Sequence, residues 1–312
     1  MAQVTTVQVL AGVGAGLLAP LVYRLLNFIW LYFLRPNTVH TFLHTPSAYA
    51  LVTGATDGIG KAVAQELYDQ GFNLILHGRS EEKMRKVAEQ IRSRGARDVL
   101  YFIADASATG LDYERLLRPY RDLQITLVIH NVGGQSWTTE RVDGLSESDI
   151  YETVQKNALF SLLLTRTLLP KLRASAKNAP VLVQFVGSMA GEISPVRFSV
   201  YAGSKGFLKA LVRGLDNDEH FWDGPSGVQF EYLMVGQVQS NSVHCAESWG
   251  APSSERFAKA MIGRMGCGWR KYAPYWPHAT LLWTMELLGE KTIDKYTAQA
   301  MRELGAAEEK RA

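Results

Sequence analysis

The chain has 312 residues, a formal net charge of +3 and an apolar fraction of 47%. A chain of this length can bury a large core in one α/β domain, and the composition is that of a folded protein, not a disordered one. The small net charge and the lack of any basic block with interleaved aromatic residues argue against nucleic-acid binding.

The first element is a nearly uninterrupted apolar stretch, Val7 to Leu34. It is longer than the about 20 apolar residues that span a bilayer, and no Lys or Arg precedes it, as one would in a cleaved signal peptide. Arg24 and Arg35 lie towards its C-terminal end, so the positive-inside rule places the rest of the chain in the cytosol. We assign residues 1–47 to a hydrophobic membrane-anchoring segment. The alternative is a hairpin of short helices broken at Pro20, lying in one leaflet or packed on the domain.

The globular part begins near residue 48 with short apolar runs separated by helical patterns. Six of these runs predict buried strands, at residues 50–53, 72–77, 99–103, 125–129, 181–186 and 228–234. Alternating helices and continuously apolar strands predict a doubly wound, Rossmann-like parallel sheet covered on both faces. This single α/β domain extends over residues 48–290, and a polar C-terminal tail follows at 291–312.

Two further features belong to this domain. Ser80 is expected to cap the second helix, with two glutamates in its first turn. The two cysteines, Cys245 and Cys267, form no C-x-x-C pattern. We expect reduced, packed thiols and no metal site, and a disulfide is left open.

A glycine-rich turn after the first strand predicts a cofactor site. Glycines at this position let the backbone approach a pyrophosphate at a helix N-terminus. The cofactor-binding residues predicted in the turn are Gly54, Thr56, Asp57, Gly58, Ile59 and Gly60.

Two residues after the following strands indicate which cofactor this is. Arg79 stands where an NAD site usually has a carboxylate, and its guanidinium is a bidentate donor for a 2′-phosphate. We therefore predict NADP(H) over NAD(H). Asp105 follows the third strand and is a candidate contact for the adenine amino group. Its alternative role is an ordinary cap for the next helix.

A tyrosine and a lysine form the predicted chemical site. Tyr201 and Lys205 are four residues apart on a predicted helix and share one face. A phenol titrates near 10 in water, and a neighbouring ammonium lowers that pKa by stabilising the phenolate. Ser188 ends the strand at 181–186 and can donate a hydrogen bond to a substrate oxygen. A surface tyrosine beside a lysine is the alternative reading of the pair alone.

Together these motifs resemble those of the short-chain dehydrogenase/reductases. The resemblance covers roughly residues 48–240 and rests on TGATDGIG, on HNVG at 130–133, and on the residues Asn157, Ser188, Tyr201 and Lys205. It implies that Tyr201 is the general acid or base, and that Lys205 lowers its pKa and binds the cofactor ribose. Ser188 would position the carbonyl.

The resemblance also assigns residues outside the tyrosine helix. It implies that Asn157 holds a relay water, that Asn131 steadies the central strand and that Ser240 lies near the nicotinamide amide. His130 and the pair Val235-Gly236 depart from the family's Asn and Pro-Gly. Neither departure removes a reacting group, and both fall in loops that the resemblance places around the nicotinamide.

The apolar N-terminus resembles that of the family's membrane-bound branch, which contains very-long-chain 3-oxoacyl-CoA reductases and 17β-hydroxysteroid dehydrogenases of the endoplasmic reticulum. The resemblance implies NADPH-dependent reduction of a 3-oxoacyl-CoA in fatty-acid elongation. The alternatives are a steroid or other hydrophobic ketone, and a membrane-anchored scaffold without turnover.

Two structural expectations follow from the same branch. Residues 240–280 would form an apolar substrate lid, and the alternative is a packing helix with a subunit contact. The aromatic and Met side chains of this segment are Trp249, Phe257, Met261, Met265, Trp269, Tyr272, Tyr275 and Trp276. Family members pair through two long helices, here about 147–173 and 201–221, which implies a possible homodimer.

Overall fold

A parallel sheet forms the centre of the computed structural model, which describes residues 5–135, 138–241 and 246–309. Its seven strands all run in one direction, in the order β3-β2-β1-β4-β5-β6-β7. The strand order reverses between β1 and β4, which is where open α/β sheets bind ligands. The strands are β1 (Ala48–Thr53), β2 (Asn73–Gly78), β3 (Val99–Ile103), β4 (Gln124–His130), β5 (Val181–Val186), β6 (Val228–Leu233) and β7 (Lys271–Tyr272).

Helices cover both faces of this sheet. They are α1 (Thr6–Ile29), α2 (Gly58–Asp69), α3 (Glu81–Arg92), α4 (Tyr113–Leu117), α5 (Glu147–Val154), α6 (Phe160–Ala176), α7 (Ala190–Ile193), α8 (Ser199–Phe221), α9 (Ser254–Ile262), α10 (Trp276–Leu288) and α11 (Glu290–Glu309). Two π-helical segments, Trp30–Leu34 and Gln155–Leu159, follow α1 and α5. Short 3-10 turns are at Val39–Phe42, Arg118–Tyr120 and Val142–Gly144.

Side chains of the strands alternate between two cores. In β1, Ala50 and Val52 face the core built with α2, α3 and α9, whereas Tyr49 and Leu51 face the core built with α4, α6 and α8. This is the period-2 alternation of a strand buried on both sides. The predicted doubly wound parallel sheet is confirmed.

The predicted elements differ from the observed ones mainly at their ends. The third and fifth strands have the predicted bounds, and Ser80 caps α3 by accepting a hydrogen bond from the Lys83 amide. Strand β7 was not predicted, because its two residues, Lys271–Tyr272, are too short for an apolar run.

Helix α1 continues through Pro20 without a break, so the hairpin interpretation is wrong. A proline removes one backbone hydrogen bond from a helix, and a long apolar helix tolerates that loss. Over the described residues, this is the helix whose length and composition would allow it to cross a membrane. Among the side chains described for this helix, none in the most apolar stretch is buried against the protein.

The end of the N-terminal segment is attached to the globular part. The Tyr32 hydroxyl donates to the Ala273 carbonyl at 2.5 Å. The Arg35 guanidinium donates to the carbonyls of Met265 and Gly266 at 3.2 and 2.8 Å. Thr38 also donates to Met265. Hydrogen bonds from three side chains therefore hold this segment on residues 265–273, which include β7.

The segment expected to form a lid contributes mainly to the core. The side chains of Phe257, Met261, Met265, Tyr272 and Tyr275 are buried among the apolar residues of α2 and the sheet. They cover the apolar surface of α2, so α9 fits the alternative of a packing helix. Trp249 and Trp269 remain 50% and 43% exposed.

The two cysteines fall in this part of the chain. Cys267 is a free, half-buried thiol whose pKa burial raises to about 12. The other cysteine, Cys245, lies outside the described residues.

Candidate active site

Three glycines shape the turn between β1 and α2. Gly54 and Gly58 have φ values of +65° and +54°, a left-handed conformation that suits glycine. A Cβ at Gly58 would lie 3.0 Å from the Ser240 Cβ, and a Cβ at Gly60 would overlap the Gly54 carbonyl. The turn therefore lets the N-terminus of α2 approach β1 closely. The N–H groups of the first turn of α2, which have no partner within the helix, suit a phosphate.

The other predicted residues of the turn lie around this helix end. The Asp57 carboxylate accepts a hydrogen bond from Asn241 at 2.8 Å, and Thr56 packs its methyl group over Gly78. Ile59 packs against the core. A polar cleft runs from Asp57 to Ser240 between the N-termini of α2 and α9, and Lys61 lines it.

Asn131 ties the end of β4 to the glycine turn. Its side-chain amide donates to the Gly54 carbonyl at 3.2 Å, and its backbone N–H donates to the Thr53 hydroxyl at 2.9 Å. The Gly54 N–H donates to Nδ1 of His77 at 3.4 Å. Burial lowers the His77 pKa to about 4, so the ring is neutral and can accept. Thr53 and His77 were not predicted, although each is a polar residue ending an apolar strand.

Arg79 and Asp105 lie at the carboxyl ends of β2 and β3. Arg79 is exposed and forms no salt bridge with any residue in the described ranges. Asp105 accepts hydrogen bonds from the backbone and hydroxyl of Ser107, which lower its carboxyl pKa, and the Arg79 charge adds to this. The alternative role of Asp105 as a helix cap is wrong, since Asp112 caps α4.

Tyr201 and Lys205 lie one turn apart at the start of α8, beside Ser188 after β5. The Lys205 ammonium donates to the Val186 carbonyl at 2.9 Å and lies 5.6 Å from the Tyr201 ring centre. Burial lowers the Lys205 pKa to about 8. The three side chains therefore meet at the carboxyl end of β5, and the alternative of a surface pair is wrong.

The direction of the Tyr201 pKa differs from the expectation. Burial raises the pKa of the phenol, and a hydrogen bond from Ser188 opposes this without reversing it. Desolvation is the largest effect on this phenol because the folded protein removes it from water. The phenol is therefore protonated at neutral pH, which is the form that can donate a proton.

Asn157 lies in the π-helical segment Gln155–Leu159, where the helix has one extra residue per turn. Its Oδ1 accepts from the Gly134 N–H at 2.8 Å, and its Nδ2 donates to the carbonyls of Gly134 and Thr153. Asn157 is 1% exposed, so its side chain is buried. A Cβ at Gly133 would lie 2.8 Å from Asn157 Oδ1 and 2.9 Å from Lys205 Nζ. These two side chains therefore approach each other across Gly133.

Tyr232 supports this cluster from β6 and was missed in the sequence. Its hydroxyl donates to the Lys205 carbonyl at 3.1 Å and accepts from the Ser188 N–H at 3.3 Å. Its ring fills the space that a side chain at Gly187 would need. A tyrosine in an apolar strand has the pattern of an ordinary core residue, so no signal in the sequence marks it.

The two departures from the family pattern have local partners. His130 pairs its Nε2 with the Thr165 hydroxyl at 2.8 Å, and burial lowers its pKa to about 3. The Gly236 N–H donates to Nδ1 of His278 at 3.2 Å, and Val235 accepts from the Met189 N–H at 2.9 Å. Side chains and backbone of neighbouring elements thus hold the loop after β6.

Comparison with known proteins decides the family. The model of the short chain dehydrogenases matches residues 48–249. The chain belongs to this family. It is 31% identical over 242 residues to the very-long-chain 3-oxoacyl-CoA reductase of Kluyveromyces lactis, covering 74% of this chain and 69% of that one. With the enzyme of the same name from Neurospora crassa it is 27% identical over 302 residues, which covers 94% and 87%.

A solved structure of a 7β-hydroxysteroid dehydrogenase has a TM-score of 0.69 with this chain at 18% identity, covering 80% of this chain and 96% of the other. That likeness shows the fold. In the chain described here, the Tyr201 phenol, the Lys205 ammonium and the Ser188 hydroxyl converge beside the glycine turn. Such a group can polarise a carbonyl and protonate its oxygen.

Proposed function

We propose that the protein is an NADPH-dependent reductase that converts a 3-oxoacyl-CoA to its 3-hydroxyacyl-CoA in very-long-chain fatty-acid elongation. The observation that carries the proposal is the convergence of Ser188, Tyr201 and Lys205 beside the glycine turn. Relatives named for this reaction support the substrate class, one of them over 94% of the chain.

The residues of the site have separate roles in the proposed reaction. Bound NADPH supplies the hydride. Ser188 donates a hydrogen bond to the ketone oxygen, and Tyr201 donates its proton to that oxygen as negative charge develops on it. Lys205 stabilises the phenolate that remains, and Asn157 holds a water through which the proton is replaced. The ketone gains a hydride and a proton and becomes the alcohol.

Arg79 is proposed to select NADPH through the 2′-phosphate, because it is exposed and not engaged in a salt bridge with the described residues. Asp105 would bind the adenine amino group, and Ser240 would lie near the nicotinamide amide. We expect Arg79→Ala to lower the ratio of kcat/KM for NADPH over NADH by about 10-fold to 100-fold, the value of a charge-assisted hydrogen bond. Lys83→Ala, at an exposed position of α3, is the matched control. Equal use of both cofactors by the wild type contradicts this assignment.

The substrate proposal is tested by NADPH oxidation with the full chain in lipid nanodiscs. We expect turnover with a series of 3-oxoacyl-CoA thioesters of increasing chain length. Turnover with steroid ketones alone would replace the elongation assignment with the hydroxysteroid alternative. NADPH binding without turnover of any ketone would indicate a scaffold.

We also propose that α1 anchors the chain in the endoplasmic reticulum membrane, with the catalytic part in the cytosol. Support comes from its length, its exposed apolar side chains and the position of Arg24 and Arg35 at its C-terminal end. The proposed division is 1–47 for the anchor, 48–290 for the catalytic domain and 291–312 for the C-terminal segment. Protease protection of a C-terminal tag in sealed microsomes tests the orientation, and protection of the tag would contradict it.

A homodimer through α5, α6 and α8 is proposed from the apolar residues exposed there. Helices α5 and α8 pack beside each other. Tyr151 is 69% exposed on α5, and Phe207 is 43% exposed on α8. Light scattering in detergent tests this pairing: Phe207→Glu should convert a dimer to a monomer, and a monomeric wild type contradicts the proposal.

A further inference from the structure

We propose that the hydrocarbon boundary of the membrane lies at the Arg24–Glu286 ion pair, and that the corner between α10 and α11 rests on the lipid there. Residues 25–34 then cross the headgroup layer beside α10 instead of the acyl chains. This inference rests on the proposed anchoring by α1.

Helix α10 meets α1 and the π-helical segment that follows α1 at two points, in antiparallel order. The Phe33 ring is 6.1 Å from the ring of Trp276, the first residue of α10. The second contact joins Arg24, nine residues before Phe33, to Glu286, ten residues after Trp276. The Arg24 guanidinium is 3.4 Å from the Glu286 carboxylate. At 1.5 Å per residue these separations are about 14 and about 15 Å, so the two helices keep one register over roughly three turns.

This register fixes the depth of the α10–α11 corner relative to α1. Leu287 and Leu288, which follow Glu286, are 72% and 53% exposed. Gly289 has a φ of +75° and turns the chain into α11. The first turns of α11, directly after this corner, carry four exposed charged residues, namely Glu290, Lys291, Asp294 and Lys295.

Two positions of the boundary can then be compared. If the aromatic residues Trp30 to Phe33 marked it, the corner and its four charges would lie about 14 Å inside the hydrocarbon. Each charge near the membrane centre costs about 2.5 to 3.5 kcal/mol even on insertion scales. If Arg24 marks it, those charges meet the headgroups, and the apolar side chains of residues 25–34 lie in the headgroup layer and not among the acyl chains. The second position avoids the larger cost.

The sequence of α1 fits this second position. Residues 6–23 form an uncharged stretch of eighteen residues, about 27 Å long, close to the about 30 Å of a hydrocarbon core. Arg24 is the sole charged residue of Thr6–Ile29, and Glu286 is the sole acidic residue of Trp276–Leu288. Arg24 and Glu286 form an ion pair, as is expected of two opposite charges at the edge of the hydrocarbon core, where the dielectric constant is low. The exposed Leu287 and Leu288 then contact lipid beside the pair.

Spin labels report the depth directly in the full chain reconstituted in phosphatidylcholine–phosphatidylserine nanodiscs. Single cysteines replace Leu18, Leu34, Leu287 and Lys83 in a Cys245→Ser, Cys267→Ala background, and NADPH binding checks that each variant is folded. We expect oxygen to relax the Leu18 and Leu287 labels more than a water-soluble nickel chelate does. The chelate should dominate at Leu34 and at the α3 control, Lys83.

The outcomes separate this inference from the anchoring proposal. If the Leu34 label is oxygen-dominated, the boundary lies at the aromatic residues and the inference is wrong while anchoring stands. A chelate-dominated Leu287 label also overturns the inference, because the corner would not touch lipid. If the Leu18 label is accessible to the chelate, α1 is not in the bilayer, and the anchoring proposal fails with everything built on it.

Discussion

Lys205 is buried and Tyr201 is partly buried, and desolvation moves their pKa values in opposite directions because it disfavours phenolate and ammonium alike. The phenol stays protonated at neutral pH. The lysine, with a pKa of about 8, still carries its charge there. The pair is therefore prepared for donation of a proton by Tyr201, in agreement with the proposed direction of reduction.

We expect Tyr201→Phe to lower kcat by about 10²-fold to 10⁴-fold, the usual contribution of a general acid, with little change in NADPH affinity. Tyr113→Phe is the matched control. Its hydroxyl is also buried, and it has no hydrogen-bond partner within the described part of the chain. Steady-state kinetics and NADPH fluorescence titration measure the two effects. Activity of Tyr201→Phe near the wild-type level would rule out its role as the proton donor.

At this scale the sequence predicted the reacting residues but not the groups that hold them. Spacing alone brought Tyr201 and Lys205 to one helix face. The sequence could not indicate that Tyr232 fastens the backbone of Ser188 and Lys205, because a tyrosine in an apolar strand has many uses. It also overestimated the effect of Lys205 on the Tyr201 pKa, since burial depends on the tertiary structure.

At the scale of the elements, the packing of α2 on the glycine turn depends on the lack of a side chain at Gly60. A Cβ at Gly60 would overlap the Gly54 carbonyl and lie 2.5 Å from Nδ2 of Asn131. Accommodating it would move α2 away from β1, and the phosphate-binding N–H groups would move with it. The turn that the sequence marks as a motif is therefore a packing constraint as well.

We expect Gly60→Ala to abolish NADPH binding and to lower the melting temperature. Gly214→Ala is the matched control, because Gly214 also lies inside a helix, α8, with nothing within 4 Å of the added Cβ. That change should leave binding intact and stabilise the protein by about 0.5 to 1 kcal/mol through helix propensity. Isothermal titration with NADPH and thermal unfolding provide both readouts. Normal binding by Gly60→Ala would show that α2 can shift without loss of the site.

The elements predicted best were those whose apolar pattern is long or continuous, such as β3 and β5. The π-helical segment at Asn157 was not predicted, because one extra residue in a helix leaves no compositional trace. The packing of α9 on α2 could not be told apart from a substrate lid in the sequence, since apolar side chains that cover substrate and those that cover α2 have the same pattern.

Over the whole molecule, Glu231 connects the sheet to the N-terminal segment. This buried carboxylate accepts hydrogen bonds from Gln184 on β5, Tyr272 on β7 and the Gly266 N–H, while Arg35 binds the Gly266 carbonyl. Burial raises the Glu231 pKa to about 7, against the lowering effect of these donors. The sequence offered one signal for this group, an acidic residue within an apolar strand.

The raised pKa predicts how stability depends on pH. Between about 4.5 and 7 the folded state binds the Glu231 proton more tightly than the unfolded state does, so the free energy of unfolding falls as pH rises through this window. The loss is on the order of 3 kcal/mol. Glu231→Gln should remove this pH dependence, whereas Glu82→Gln, at an exposed position of α3, should keep it. Urea unfolding of the full chain in detergent at pH 5 and pH 7.5 measures the difference. The same change in unfolding free energy between the two pH values for wild type and Glu231→Gln would contradict the prediction.

The hydrogen bonds of Tyr32, Arg35 and Thr38 to residues 265–273 have a consequence for how the proposed enzyme meets its substrate. A flexible linker would keep the catalytic cleft near the membrane but leave it free to turn. Here the chain between α1 and β1 is fastened side chain by side chain, so the sheet cannot rotate independently of α1. In the proposed membrane setting the cleft keeps one constant angle to the bilayer, and a lipid-borne ketone can reach Tyr201 from a single direction of approach.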